Sequence, residues 1–167
     1  MWRVYIAGPY SGKHLADDKD DSHQQISENI AKARQASIQL AELGFAWFCP
    51  HLNSEHFEVD CKLPHTYESY LPPDFTWIEA CDALYLLPGW EKSHGTGQEV
   101  AYAKSLGIPV FTSLTELDNH FTKLDGFITD KTYLQTQRET GERRFRLWYK
   151  NYEEIFDGYI TKKSGVI

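Results

Sequence analysis

An α/β domain, a parallel sheet with helices on both faces, follows from three features of this 167-residue chain. Short apolar runs of strand length recur at 2–7, 45–49, 83–87 and 108–111. Segments with helical spacing lie between them, and Gly or Pro closes most of the runs. Strands that alternate with helices pair in parallel, because each crossover returns the chain to the same end of the sheet.

Each element has its own warrant. The first run, Trp2, Arg3, Val4, Tyr5, Ile6 and Ala7, ends in Gly8, Pro9, Tyr10, Ser11 and Gly12, a loop rich in turn formers. The polar stretch 14–25 contains the acidic run 17–21 and reads as solvated. A helix is expected over 27–43, with Ile30, Ala33, Ser37, Leu40 and Ala41 on one face and Gly44 as its stop. Residues 45–49 form the second strand, and a long loop holding Pro50, His51, Asn53, His56, Cys61 and His65 follows. Its spacing fits no standard zinc pattern, so no metal is expected. His51, at the strand end, either faces a ligand or packs the loop. Asp74 comes directly after Pro72 and Pro73 and opens a helix running to Asp82, either as an N-cap or as a functional carboxylate.

The third strand, 83–87, is closed by Pro88 and Gly89. Residues 93–97 then read as a strand-to-helix loop containing Ser93, Gly95 and Gly97, followed by a helix over 99–106 that Gly107 ends. Glu99 is thereby expected in the first helical turn. A carboxylate there either complements the helix dipole or does chemistry. Gly95 and Gly97 would let backbone approach a ligand, and a helix start favours anionic groups. Trp90 either stacks on a ligand or caps the sheet. A strand at 108–111 and a helix at 114–124 complete the pattern, while 129–137 is polar and carries no clear signal.

Composition narrows the function. The formal charge of −7 argues against a dedicated nucleic-acid binder, whose affinity comes mostly from phosphate neutralisation. The run 143–152 mixes bases with aromatics, which suits a single-strand platform or an amphipathic helix; Glu153, Glu154 and Asp157 follow it and favour the helix. Cys49, Cys61 and Cys81 show no close pairing, and no apolar stretch of membrane length or signal pattern is present. A reduced, cytoplasmic protein without a membrane partner is the expectation.

Taken in order, Tyr5, Ile6, Ala7, Gly8, Pro9, Tyr10 and Ser11, then Pro50 and His51, then 74–82, then Ser93, Gly95, Gly97 and Glu99 resemble the nucleoside 2-deoxyribosyltransferase superfamily and its nucleotide N-hydrolase relatives. The resemblance covers about the first 112 residues. It implies a Rossmann-like or flavodoxin-like core at 1–112, a C-terminal helical and aromatic extension at 113–167, and assembly as a homo-oligomer. It also implies roles: Glu99 as the nucleophile on the anomeric carbon of a (deoxy)ribose, Asp74 assisting departure of the base, and Tyr5 orienting the nucleophile. Gly8, Pro9, Tyr10, Ser11, His51, Trp90, Ser93, Gly95 and Gly97 are the corresponding candidates for substrate binding.

The chemistry agrees with the resemblance. Breaking an N-glycosidic bond passes through an oxocarbenium-like state, so it needs a carboxylate under the sugar and a proton donor at the leaving group, with no cofactor. A nucleophilic Glu99 must be ionised, which helix N–H groups would assist; an acidic Asp74 must hold a proton, in a dry setting that Phe75, Trp77 and Trp90 would supply. The substrate class turns on Ser93, six residues before the nucleophile. Transferases of the family typically carry an acid there, whereas the nucleotide hydrolases carry serine, which can contact phosphate. Serine therefore points to hydrolysis of a nucleoside 5′-monophosphate, ahead of base exchange between nucleosides or a non-catalytic nucleotide-binding domain. Ser11 departs from the hydrolase pattern, which has arginine; Lys13 or His14 would have to replace it.

Overall fold

The structure, a computed structural model, describes residues 1–10, 21–57 and 67–128. Four strands form one parallel sheet: β1 (Arg3–Ala7), β2 (Ala46–Phe48), β3 (Ala83–Leu86) and β4 (Val110–Phe111), in the order β2-β1-β3-β4. Five helices connect and follow them: α1 (Asp21–Glu42), α2 (Pro50–Asn53), α3 (Tyr67–Glu79), α4 (His94–Ser105) and α5 (Leu114–Ile128), with a 3₁₀ turn at Trp90–Lys92.

Alternation along the strands separates two cores. Val4 and Ile6 point to one face, where Ala33, Ala36 and Leu40 of α1 and Leu117 and Phe121 of α5 cover them. Tyr5 and Ala7 point to the other, against Ile78 of α3 and Val100 and Ala103 of α4. Helices therefore lie on both faces, as expected, and continuous apolar strands such as β3, buried at every position, are the result. Arg3 joins β1 to the start of β3: its backbone N–H, at 2.8 Å, and its guanidinium, at 3.0 and 2.7 Å, all donate to the Asp82 carboxylate.

The strand order matters for function. From β1 the chain moves to β2 on one side, then returns past β1 to β3 and on to β4. In such sheets the carboxyl ends of the two strands at that reversal, here β1 and β3, are the usual ligand position. Two loops meet there. A Cβ on Gly8 would fall 2.7 Å from Leu87 Cβ, so only glycine lets the end of β1 lie this close to the end of β3.

Several element boundaries differ from the sequence reading. α1 starts at Asp21, six residues earlier than expected, because Ile26 extends the buried stripe one turn before Ile30. Residues 50–53, read as loop, form a short helix with Pro50 in its first turn. Asp74 is no N-cap: α3 begins at Tyr67 and carries Pro72 and Pro73 in its interior, where they withdraw two N–H donors. α4 begins at His94, so the loop is 88–93, and Gly95 and Gly97 are helical. Among the described residues no helix is long and apolar enough to cross a membrane. The expectations for Ser11, Lys13, His14, Cys61, His65 and 129–167 lie outside the described residues.

Candidate active site

Three side chains distant in sequence meet on the α3/α4 side of the sheet. Tyr5, in the middle of β1 and fully buried, donates its hydroxyl to Glu99 Oε1 at 2.6 Å. The Asp74 carboxyl of α3 faces the same hydroxyl, which opposes the rise of the Asp74 pKa. The residues the sequence reading assigned to catalysis thus form one cluster. Each helix contributes one carboxyl, and the strand between them contributes the hydroxyl that links the two.

The electrostatics are those of a dry site. Burial is the main cause of the Glu99 pKa rising to about 8, with the Asp74 charge adding to it and the Tyr5 hydrogen bond opposing it. Burial likewise raises Asp74 to about 6, again opposed by Tyr5. Carboxyls this close titrate as a pair, so near neutrality the pair retains one proton. Tyrosine has a single hydroxyl proton. Donated to Glu99, it leaves Asp74 without it; turned toward Asp74, it frees the hydroxyl oxygen to accept from a protonated Glu99.

The expectation that helix N–H groups hold Glu99 ionised does not survive. Glu99 is six positions past the N-cap Ser93, in the second turn, where backbone N–H groups are already engaged within the helix. Burial instead favours the proton on Glu99 in the unliganded site. Any nucleophilic role requires that proton to leave, and the Tyr5 hydroxyl is the route: turned from Glu99 toward Asp74, it can take the Glu99 proton while giving its own to Asp74.

The remaining candidates fall into three groups. Gly8, Pro9 and Tyr10 form the β1 loop; His51, 4% exposed, places Nε2 3.0 Å from the Pro9 carbonyl oxygen. Ser93 caps α4, its Oγ accepting the Thr96 N–H at 3.3 Å. That bond uses a lone pair and leaves the hydroxyl proton for another acceptor. Gly97 is exposed, with nothing within 4 Å of where its Cβ would be. Trp90 packs on the α3/α4 core with its indole N–H buried and unpartnered.

Sequence reasoning named Phe75 and Trp77 as a dry setting for Asp74 and missed the stacks they make. Phe75 stacks on Tyr102 with ring centroids 4.2 Å apart, and the Tyr102 hydroxyl donates to Glu79, so α3 and α4 are braced beside both carboxyls, Phe75 directly after Asp74 and Tyr102 one turn after Glu99. Trp77 stacks on Phe48 at 4.2 Å, tying α3 to β2. Thr96, 1% exposed, lies one turn before Glu99 with its hydroxyl unpartnered. Asn29, 7% exposed, had a readable signal: it interrupts the apolar stripe of α1 between Ile26 and Ala33. Among the described residues no three His, Cys, Asp or Glu side chains stand close enough to hold a metal ion.

A parallel α/β domain with a buried Glu99 and a half-buried Asp74 about one strand tyrosine is the class these features define. The chain belongs to the family described as "Domain of unknown function (DUF4406)", which matches residues 2–112. No curated protein matches it. A solved structure, that of a conserved protein from Enterococcus faecalis V583, is similar at 20% identity over 78% of this chain and 77% of that one, with a TM-score of 0.40.

Proposed function

We propose that this protein cleaves the N-glycosidic bond of a (deoxy)nucleoside 5′-monophosphate, through a glycosyl ester on Glu99, and releases the free base. The observation that carries the reading is the buried Tyr5 hydroxyl shared by Glu99 and Asp74. A structural role explains it poorly, since burying Glu99 beside a half-buried Asp74, with no ion pair to either among the described residues, is costly and apolar side chains would fill the space better.

The steps balance as follows. Tyr5 accepts the Glu99 proton and passes its own to Asp74, leaving Glu99 ionised. A Glu99 carboxylate oxygen bonds to C1′ as the C1′–N bond breaks, and the electron pair of that bond goes to the base nitrogen, which Asp74 protonates. In the second half Asp74 takes a proton from water, whose oxygen attacks C1′ and displaces Glu99. Base exchange would use a second base in place of that water. The hydroxyl proton of Ser93, at the start of α4, suits a 5′-phosphate oxygen, and this favours the monophosphate.

Incubation with a panel of nucleosides and their 5′-monophosphates, resolved by chromatography for free base, tests the reading. Free base and sugar phosphate from a monophosphate are the expected products, even with a second base added. Exclusive exchange from unphosphorylated nucleosides would put a transferase in its place. Binding without turnover across the panel would leave a nucleotide-binding domain.

A further inference from the structure

Two buried polar side chains outside the carboxyl cluster reach the same loop. The first is His51 of α2. A carbonyl oxygen can only accept, so the contact of Nε2 with the Pro9 carbonyl at 3.0 Å puts the ring proton on Nε2. Nδ1 is then the bare nitrogen, buried with no partner among the described residues. Burial also lowers the pKa of the ring, which keeps it in this neutral form. The second is Asn29 of α1, whose Nδ2 donates to the next carbonyl along, that of Tyr10, at 3.1 Å. Its own Oδ1 accepts from Gln25 Nε2 at 3.3 Å, which orients the amide.

Other contacts confine the same three residues. The Tyr10 ring meets His51 edge-on with centroids 5.6 Å apart, and the Tyr10 hydroxyl accepts the His56 N–H at 3.0 Å. On the opposite side Gly8 lies against Leu87, and the Leu87 N–H donates to the Ala7 carbonyl at 2.8 Å. The loop so held continues directly from the strand that carries Tyr5, and it lies at the carboxyl end of β1.

We propose that His51 is a positioning residue: through its Nε2–H on the Pro9 carbonyl, with Asn29 on the Tyr10 carbonyl, it sets the backbone wall against which the sugar of the substrate is bound. The part played in substrate binding rests on the N-glycosidase reading; the clamp itself does not. His51 acts on the loop and makes no contact with reacting atoms, so its loss weakens binding and spares the chemical step.

Glutamine places an amide nitrogen near the position of Nε2, and asparagine, one carbon shorter, does not reach it. His51→Gln is expected to keep KM within about threefold of wild type, and His51→Asn to raise it by about tenfold, with kcat within about threefold in both, since one hydrogen bond is at stake. Amide exchange at Tyr10 should follow KM, faster by about tenfold in His51→Asn and unchanged in His51→Gln. In the wild type, nitrogen NMR of the imidazole should show Nε2 protonated and Nδ1 bare at neutral pH. An Nδ1–H tautomer overturns the clamp, and this measurement decides it even where a variant fails to fold. Gln and Asn variants alike in KM and exchange overturn it too, as does a fall in kcat with KM unchanged. Should the wild type cleave nothing in the substrate panel, the N-glycosidase reading falls, while tautomer and exchange still decide the clamp.

Discussion

Tyr5 and Tyr85 occupy adjacent strands one register step apart and point to opposite faces of the sheet. Tyr85 belongs to the α1/α5 face, with Val4, Ile6, Phe45 and Phe121, and burial raises its pKa. Phe121 makes ring contacts there with Trp2 at 4.8 Å and Phe45 at 5.6 Å. Tyr5, on the α3/α4 face, is fully buried among apolar neighbours too, yet its hydroxyl is engaged with two carboxyls. The same strands thus build a face that serves stability and a face that gives up stability at one point. Strained or costly polar groups retained in a core are where function is expected.

The largest effect should come from exchanging the two kinds of loss. Glu99→Gln keeps the shape and the hydrogen bond from Tyr5 but removes the nucleophile, so cleavage should fall by more than about 10³-fold, several kcal/mol of transition-state stabilisation. Its thermal midpoint at neutral pH should hold or rise, because a buried carboxyl that must take up a proton on folding has been replaced by a neutral amide. Phe121→Ala should do the reverse, costing about 3–5 kcal/mol of stability while activity per folded molecule persists. Thermal denaturation and single-turnover assays on both variants check this. Glu99→Gln activity within about tenfold of wild type would end the covalent reading, since a required nucleophile is worth far more.

The fold was legible because its signals are local. Gly44 and Gly107 end their helices at positive φ, and the apolar runs closed by Gly and Pro are the strands observed. The candidate trio Tyr5, Asp74 and Glu99 was named from the order of motifs and is brought together by topology. What was not legible depended on tertiary partners. The turn before Glu99 reads as loop from Gly95 and Gly97, yet Ser93 caps it into helix. Pro72 and Pro73 read as a boundary before Asp74, yet α3 runs through them from Tyr67, and the turns that follow are held to α4 and β2 by the Phe75 and Trp77 stacks. The ionisation of Glu99 was misjudged for the same reason, since depth of burial cannot be read from a position in a motif.

Stability against pH offers a second contrast between the faces. The folded-state pKa of Glu99, about 8, lies above its ordinary 4.5, so the folded protein holds that proton more tightly than the unfolded chain. The corresponding stability is complete below the ordinary value and is lost as pH rises through the folded one. Asp74 behaves alike but is spent by about pH 6. His51 has the opposite sign, because its lowered pKa removes stability as pH falls through and below 6.5. Between pH 6.5 and 8 Glu99 therefore dominates, and stability should decline by at most about 1.4 kcal/mol per pH unit. Denaturant titrations across that window should show the decline in wild type and in Phe121→Ala, and a flat line in Glu99→Gln. A flat wild-type line would mean that the pair is ionised in the folded state.

Ser93 belongs to both kinds of residue at once, and the two can be separated. As the N-cap of α4 it should cost about 1 kcal/mol of stability when changed to alanine. If its hydroxyl also meets a 5′-phosphate, Ser93→Ala should lower kcat/KM for a monophosphate by about 1–3 kcal/mol, the range for a hydrogen bond to a charged group, and leave the nucleoside nearly unaffected. Equal losses on both substrates would reduce Ser93 to a cap.

The smallest expected effect is at Gly97. Two residues from Glu99, at about 100° per residue, it lies roughly 160° around α4 from the carboxyl. No atom stands within 4 Å of its missing Cβ, and its φ lies outside the left-handed region, so alanine is accommodated without strain. Gly97→Ala should therefore gain about 0.5–1 kcal/mol from helix propensity, a rise of a few degrees in midpoint. Cleavage should keep the wild-type KM to within about twofold, a difference well under one hydrogen bond. A stabilised variant with KM raised tenfold would show that a ligand passes over this exposed turn. The side of α4 that meets substrate would then extend well beyond the line of Ser93, Thr96 and Glu99.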